Sequence, residues 1–408
     1  MKSPHPRAAL GHRDFRLYLN ARFLALVAHQ MLMVAMGQYI YTMTHNPLHL
    51  GYIGLAIFFP KFALTLFAGH TADRYDRRLV ILTSRSVQFF IVTAVVVYTL
   101  LGGRSIWILL ALLFLLGIAY AFDGPASQAF VTQLVPPEHF SRAVAWNSSY
   151  MQFAFIVGPA LGGLLYAWGG NALTVFYAVA ICRFLSALLV AMIRLRVGGL
   201  EKSEFSWETL VAGIKYVFKT RIILGTISLD LFAVLLGGVT ALLPIFANDI
   251  LKVGPSGLGL LRAAPSVGAA LMALTIAHLP PMKKAGAAML WCVALYGIAT
   301  VIFGVSKIFW LSLVMLFILG AADMVSVVIR HVLVQVKTPP EMRGRVSAVN
   351  LIFIGASNEL GEFESGITAA WFGAIPAVII GGVGTLLVVS LYGWRFPEIR
   401  NYERLDEM

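Results

Sequence analysis

Three carboxylates, Glu359, Glu362 and Glu364, fall within six residues of an otherwise apolar run at 346–370. If that run crosses a bilayer, each charge near its centre costs about 2.5–3.5 kcal/mol on insertion scales, which makes it a functional candidate by default. At about 100° per residue on a helix, Glu359 and Glu362 share a face, while Glu364 stands about 140° round from Glu359. Carboxylates crowded in a low dielectric do not ionise independently, and a group that exchanges its proton near neutral pH is what a proton carrier needs. Arg262 lies about six residues into another apolar run, 256–278, at a depth that allows a pair with one of the glutamates. Proton coupling is expected mainly from Glu359 and Glu362, with Glu364, Asp123 and Arg262 as further candidates. The competing reading is a static, fully paired network that only fixes helix packing.

Other polar residues interrupt the apolar runs. Asp230, His29, Gln30, Asn147, Gln152 and Asn358 are candidates to line a substrate cavity. A lone histidine such as His29 is more often hydrogen-bonded packing than a ligand. Asp323 and Arg330, seven apart on one helical stripe, suit a structural relay. The nine histidines have no metal-ligand spacing, there is no Walker A loop, and no Ser-His-Asp or paired-cysteine chemistry stands out. The chain does not read as an enzyme; no cofactor or metal is expected, and a proton gradient is the expected energy source.

These residues need elements to hold them. The 408-residue chain is 59% hydrophobic and 12% charged, with a mean hydropathy of +0.82. A soluble domain carries roughly 25% charged residues, so this composition excludes soluble enzymes and nucleic-acid binders. Twelve runs approach the roughly 20 residues of a membrane-spanning helix: 17–42, 49–70, 79–102, 106–128, 143–168, 171–193, 222–247, 256–278, 285–305, 308–332, 346–370 and 373–394. The fold class expected is an all-α polytopic membrane protein. Of the 31 basic residues, an arrangement with a cytoplasmic N-terminus leaves only Arg104, Lys252 and Lys307 in outer loops; six fall inside apolar runs and the other 22 are cytoplasmic. The positive-inside rule therefore places both termini in the cytoplasm, and the net charge of +12 needs no nucleic-acid partner.

The chain also repeats itself. Pro136-Pro137-Glu138, Arg142, Ala145 and Asn147 recur as Pro339-Pro340-Glu341, Arg345, Ala348 and Asn350, at an offset of 203 without a gap. Leu116-Gly117 falls on Leu319-Gly320, Gly158 on Gly361 and Gly163 on Gly366 at the same offset. Two parallel six-helix halves are a transporter architecture. The expected domains are an N-terminal lobe, 1–193, a cytoplasmic linker with an amphipathic helix, 194–221, and a C-terminal lobe with a tail, 222–408.

Between the second and third runs, Gly69, Asp73, Arg74, Arg77 and Arg78 form G-x-x-x-D-R-x-x-R-R. This resembles the signature loop of the major facilitator superfamily. The resemblance implies that the loop latches the cytoplasmic side through Asp73 and the helix starting near Arg345; physically, Asp73 is suited to cap a neighbouring helix N-terminus. The alternative is a basic turn that only sets topology. Pro280-Pro281-Met282-Lys283-Lys284 lacks the Asp, so the latch is expected to be one-sided. Gly158, Pro159, Gly162 and Gly163 resemble the G-P-x-x-G-G motif of the superfamily's antiporters, implying a hinge, with tight helix packing as the plainer reading.

With Ala121–Ala126, Gly257–Pro265 and Ser357–Gly366, the chain resembles the branch of enterobactin exporters and macrolide-type efflux proteins. That implies proton antiport of an amphipathic small molecule, siderophore or drug-like, by a monomer in a bacterial inner membrane, in contact with membrane lipid. Rival expectations are a lipid or lysolipid flippase and a non-transporting membrane receptor or enzyme.

Overall fold

Helix ends fall where the sequence supplies caps and breaks. The computed structural model describes residues 8–195, 207–280 and 282–402. Six long helices come first: α1 (Arg13–Thr44), α2 (Pro47–Arg74), α3 (Arg77–Leu100), α4 (Ile106–Val131), α5 (Phe140–Gly169) and α6 (Ala172–Ala191). Next are α7 (Trp207–Lys219), α8 (Arg221–Gly237), α9 (Gly254–His278), α10 (Ala285–Val305), α11 (Phe309–Lys337), α12 (Pro340–Phe372), α13 (Ala374–Arg395) and the short α14 (Pro397–Arg400). Asp76 caps α3 by accepting from the Arg78 amide, and Asn171 caps α6 by accepting from the Thr174 amide. Gly170, at φ 67°, takes the left-handed conformation that ends α5.

Eleven segments among the described residues are long and apolar enough to cross a membrane. The twelfth expected span lies in α12, a single 33-residue helix that carries Glu359, Glu362 and Glu364 within six residues. The seventh span is not one regular helix: α8 ends at Gly237, and the chain continues through 3-10 and π turns to Ile250. The repeated Pro-Pro-Glu segments both open helices, Pro137–His139 as a 3-10 turn ahead of α5 and Pro340 in the first turn of α12.

The chain divides into two compact units, Met1–Met43 with Ala56–Phe205, and Thr44–Leu55 with Ser206–Met408. In the first, Phe15, Tyr18, Ile81, Phe130 and Val190 are among the buried residues of an apolar core, and the α5 glycines seat that helix on α1. In the second, Leu229, Met289, Val325, Ile329 and Ile399 belong to another core. Each unit repeats one close helix crossing. Gly117 of α4 packs where an added Cβ would meet the Ile57 carbonyl and Pro60 of α2, and Gly320 of α11 packs likewise on Pro265 of α9. Glycine lets the two backbones approach at both crossings. Helix α7 is docked in the second unit: Gly213 lies against the Arg345 backbone and the Tyr216 hydroxyl donates to the Lys337 carbonyl. Residues 196–206 of the expected linker lie outside the described residues.

Candidate functional site

Four helices of the first unit hold a buried polar network. Arg183 on α6 is 1% exposed and donates to Gln88 Oε1 at 2.6 Å and to the Tyr120 hydroxyl at 2.6 Å. His29 Nδ1 lies 3.2 Å from the same hydroxyl. Because that oxygen accepts from Arg183, its own proton is available to His29, so the histidine is held in hydrogen-bonded packing. Asp123 lies one turn on, 3.4 Å from Arg85 and accepting from Ser127 at 3.1 Å. Arg85 also donates to Ser186, whose hydroxyl reaches the Ala21 carbonyl. Arg85 thus meets a carboxylate, whereas Arg183 donates to the neutral oxygens of Gln88 and Tyr120. The Nε of Arg183 and the Nε2 of Gln88 have no hydrogen-bond partner.

The basic loop is stitched within the same unit. Asp73 pairs with Arg77 at 3.4 Å, and Arg77 Nε donates to the Ala72 carbonyl. Arg78 donates to the Val190 and Ala191 carbonyls at the end of α6, where a cation complements the helix dipole. The cap of the following helix is Asp76, at one of the unspecified positions of the motif. Arg74 is exposed, and Gly69 has room for a Cβ.

Helix α5 presents two different faces. Gly158 and Gly162 lie against Gln30, Val27 and Met31 of α1, and Pro159 and Gly163 are buried beside them, so this segment makes a close packing seam. Gln30 is spent on that seam through its stem. Nearer the start of α5, Arg142, Ala145, Trp146 and Ser149 line a cavity of about 310 Å³. They recur at the i, i+3, i+4, i+7 spacing of one helical stripe. Asn147 stands about 140° from Arg142 at 100° per residue, and its Oδ1 is enclosed without a partner. Gln152 is half-buried at the flank of the stripe. None of Arg142, Trp146 and Ser149 was a sequence candidate, although the repeat contains a signal: at the offset of 203, Trp146 and Ser149 fall on Val349 and Ile352.

In the second unit the carboxylates of α12 separate as their spacing requires. Glu359 and Glu362 converge on Gly54: a Cβ there would stand 2.9 Å from Glu362 Oε2 and 3.3 Å from Glu359 Oε2. Gly51 and Gly366 bring the same two helices together one turn away, and Tyr52 stacks on Phe363 with ring centroids 5.9 Å apart. Arg262 on α9 is within electrostatic range of Glu362 first and Glu359 second. Glu364 turns elsewhere and accepts from Thr368 at 2.7 Å on its own helix. Asn358 is exposed and donates to the Ile354 carbonyl. Asp230, a cavity candidate, is buried in an ion pair with Arg330. The expected Asp323–Arg330 relay is replaced by that pair, and Asp323 lies near Tyr296, whose hydroxyl donates to the Gly237 carbonyl.

Residues 5–407 match the transmembrane secretion effector family. The enterobactin exporter EntS of Shigella boydii serotype 18 is 27% identical over 380 residues, covering 92% of this chain and 86% of its own. The enterobactin exporter EntS of Citrobacter koseri is 26% identical over 397 residues, 96% of this chain and 94% of its own. Among solved structures, a mutant of the nucleoside transporter NupG superposes with a TM-score of 0.76 at 11% identity, over 94% of this chain and 100% of that one. A bacterial homologue of the human lysosomal transporter Spinster superposes with a TM-score of 0.75 at 15% identity, over 95% and 97%. A single alignment thus runs through both repeats, on a fold shared with multi-pass transporters. The chain belongs to the transmembrane secretion effector family of the major facilitator superfamily, and is a membrane transporter rather than an enzyme.

Proposed function

We propose that this transporter exports a small amphipathic molecule, siderophore-like or drug-like, by alternating access coupled to proton antiport. The enterobactin exporters among its relatives support the direction and the substrate class. The observation that carries proton coupling is the convergence of Glu359 and Glu362 on Gly54 with Arg262 in electrostatic range. Two carboxylates sharing one such site do not both lose their protons freely, and a nearby arginine gives the ionised form a partner. Gradient energy enters as the proton moves on and off this pair; no cofactor takes part. Glu364 is held by Thr368, and Asp123 by Arg85 and Ser127, so in this reading neither carries the proton.

The working monomer sits in a bacterial inner membrane with both termini in the cytoplasm, as the distribution of basic residues supports. Asp73, with Gly69, Arg74, Arg77 and Arg78, serves as the cytoplasmic latch, and the Gly158–Gly163 segment lets α5 shift against α1.

The test is substrate movement in proteoliposomes with an imposed pH gradient. Antiport requires efflux to speed up when the compartment receiving substrate is made more acid, and to collapse when a protonophore removes the gradient. Efflux indifferent to both would end the proton-antiport reading.

A further inference from the structure

Helix α7 packs on the protein by only one of its faces. At about 100° per residue its thirteen positions fall into three sectors. Gly213 and Val217 share the docked sector: Gly213 is buried against the Arg345 backbone, and Val217 is fully buried. Val211, Ile214 and Phe218 are 41%, 36% and 60% exposed and stand within an arc of about 60°. Lys215 and Lys219 are exposed along the adjoining arc, and among the described residues neither makes an ion pair or a hydrogen bond. The single acid of the helix, Glu208, is in its first turn, about two turns from Lys215.

The place of α7 in the chain fixes what can lie against these sectors. Only Thr220, with extended backbone, separates α7 from α8. Helix α8 opens the apolar span Arg221–Ile250, so the exposed Phe218 is three residues from the point at which the chain enters the bilayer. Thirteen residues cover about 20 Å at 1.5 Å per residue, too short to cross a hydrocarbon core of about 30 Å. A helix of this length tethered there lies along the membrane surface. Its aliphatic and aromatic side chains then sit at the acyl boundary and its lysines among the headgroups, which is how interfacial helices bind. Arg221, the next cation, is already paired with Glu398 at 3.7 Å, so the two lysines are what this surface offers an anion.

We infer that α7 is a recognition site for an anionic phospholipid, with the headgroup phosphate on Lys215 and Lys219 and the acyl chains against Val211, Ile214 and Phe218. A headgroup with a net negative charge is drawn by both lysines, whereas a zwitterionic one brings its own cation and is drawn little. Each lysine near an anionic surface strengthens association about fivefold. The docked side of α7 carries the consequence into the protein. Gly213 lies on Arg345 and the Tyr216 hydroxyl donates to the Lys337 carbonyl, so α7 braces the corner between α11 and α12. Lipid that holds α7 at the membrane surface therefore holds the start of α12, the helix of Glu359 and Glu362. The inference adds a lipid partner to the exporter reading without depending on it, because binding needs neither gradient nor substrate.

The probe is phosphatidylglycerol with brominated acyl chains, compared with brominated phosphatidylcholine at equal mole fraction in nanodiscs holding the full-length chain. A bimane label on Val211→Cys, in a variant lacking Cys182 and Cys292, reports contact through quenching. Both lipids should quench, phosphatidylglycerol at least about fivefold more effectively, and raising the salt concentration should shrink the difference. Lys215→Gln combined with Lys219→Gln should bring that ratio near one while changing quenching by phosphatidylcholine less than about twofold. The corresponding Arg pair should keep the preference, and Phe218→Ser should weaken quenching by both lipids. Each single Gln variant should lose part of the preference, which decides the matter if the double variant does not fold. Bimane that neither lipid quenches would show the face covered by something other than lipid, and equal quenching by both would remove headgroup recognition. A double Gln variant that melts like wild type and keeps the preference would place the anion elsewhere; any of these three results overturns the inference. Phosphatidylglycerol added in detergent should also raise the melting temperature of wild type but not of the double Gln variant, and an equal rise in both would refute the link to α12. Selective quenching without gradient-driven efflux keeps this site and removes the exporter reading; efflux without selective quenching does the reverse.

Discussion

Buried charges in this protein are handled in two ways. Arg330, 2% exposed, is neutralised directly by Asp230, 7% exposed. Arg183 is given neutral acceptors, Gln88 and Tyr120, with the face of the Tyr120 ring 5.3 Å from its guanidinium carbon. The first arrangement makes each partner dependent on the other. Removing one member of a buried pair typically costs about 3–5 kcal/mol, whereas replacing both by apolar groups is often neutral. Arg330→Met alone and Asp230→Leu alone should therefore lower the melting temperature in detergent sharply, and the double variant should recover most of the loss. Additive damage in the double variant would show that the two residues do not act as a pair. At the coupling site, Glu359→Gln combined with Glu362→Gln keeps side-chain shape and hydrogen bonding but removes the exchangeable proton. That double variant should fold and lose gradient-driven efflux; full efflux would move coupling away from α12.

Among the elements, glycine decides which helices can approach. At Gly320 an added Cβ would collide with the Pro265 backbone, and at Gly117 it would stand 2.5 Å from the Ile57 carbonyl. Backbone cannot yield as a side-chain tip does, so Gly320→Ala and Gly117→Ala should each cost roughly 1–3 kcal/mol, the usual range for overpacking. Gly69→Ala meets nothing within 4 Å in a helix interior and should leave stability unchanged or slightly raised. Thermal melts of the three variants check this, and equal destabilisation at all three sites would refute the packing argument. Gly54 serves both purposes: an added Cβ would meet the carboxylate ends of Glu362 and Glu359 and also the Glu362 Cβ at 3.3 Å, which is fixed to α12.

For the whole molecule, the strongest expectation concerns orientation, because it draws on basic residues along the entire chain. In a variant lacking Cys182 and Cys292, a single cysteine at Asn171 should react in intact cells with a membrane-impermeant maleimide. One at Lys215 should react only after the membrane is opened. The reverse pattern would invert the topology and, with it, the side from which substrate is drawn. Both positions lie at helix ends or on exposed faces, so access to the reagent is not limited by burial.

Composition and period alone were enough for the membrane class, the helix-rich architecture and the repeat at 203 residues, because a bilayer demands apolar runs of about one length and leaves little choice in how the backbone is paired. The same economy made the glutamates of α12 visible, since a charge in such a run stands out against everything around it. Which charge meets which was beyond reach. Asp323 and Arg330 share a stripe, yet Arg330 turns to Asp230 about a hundred positions earlier, and Glu364 turns to Thr368 rather than to Arg262. Arg142, Trp146 and Ser149 line one cavity because of the helix face on which they stand, which their residue types alone do not announce. Gly54 carries no chemical mark at all, and its place under two carboxylates exists only once α2 and α12 pack. Residue type and spacing settle what can be buried and on which helix; the partners across helices depend on crossing points and side-chain direction, which arise only from packing in three dimensions.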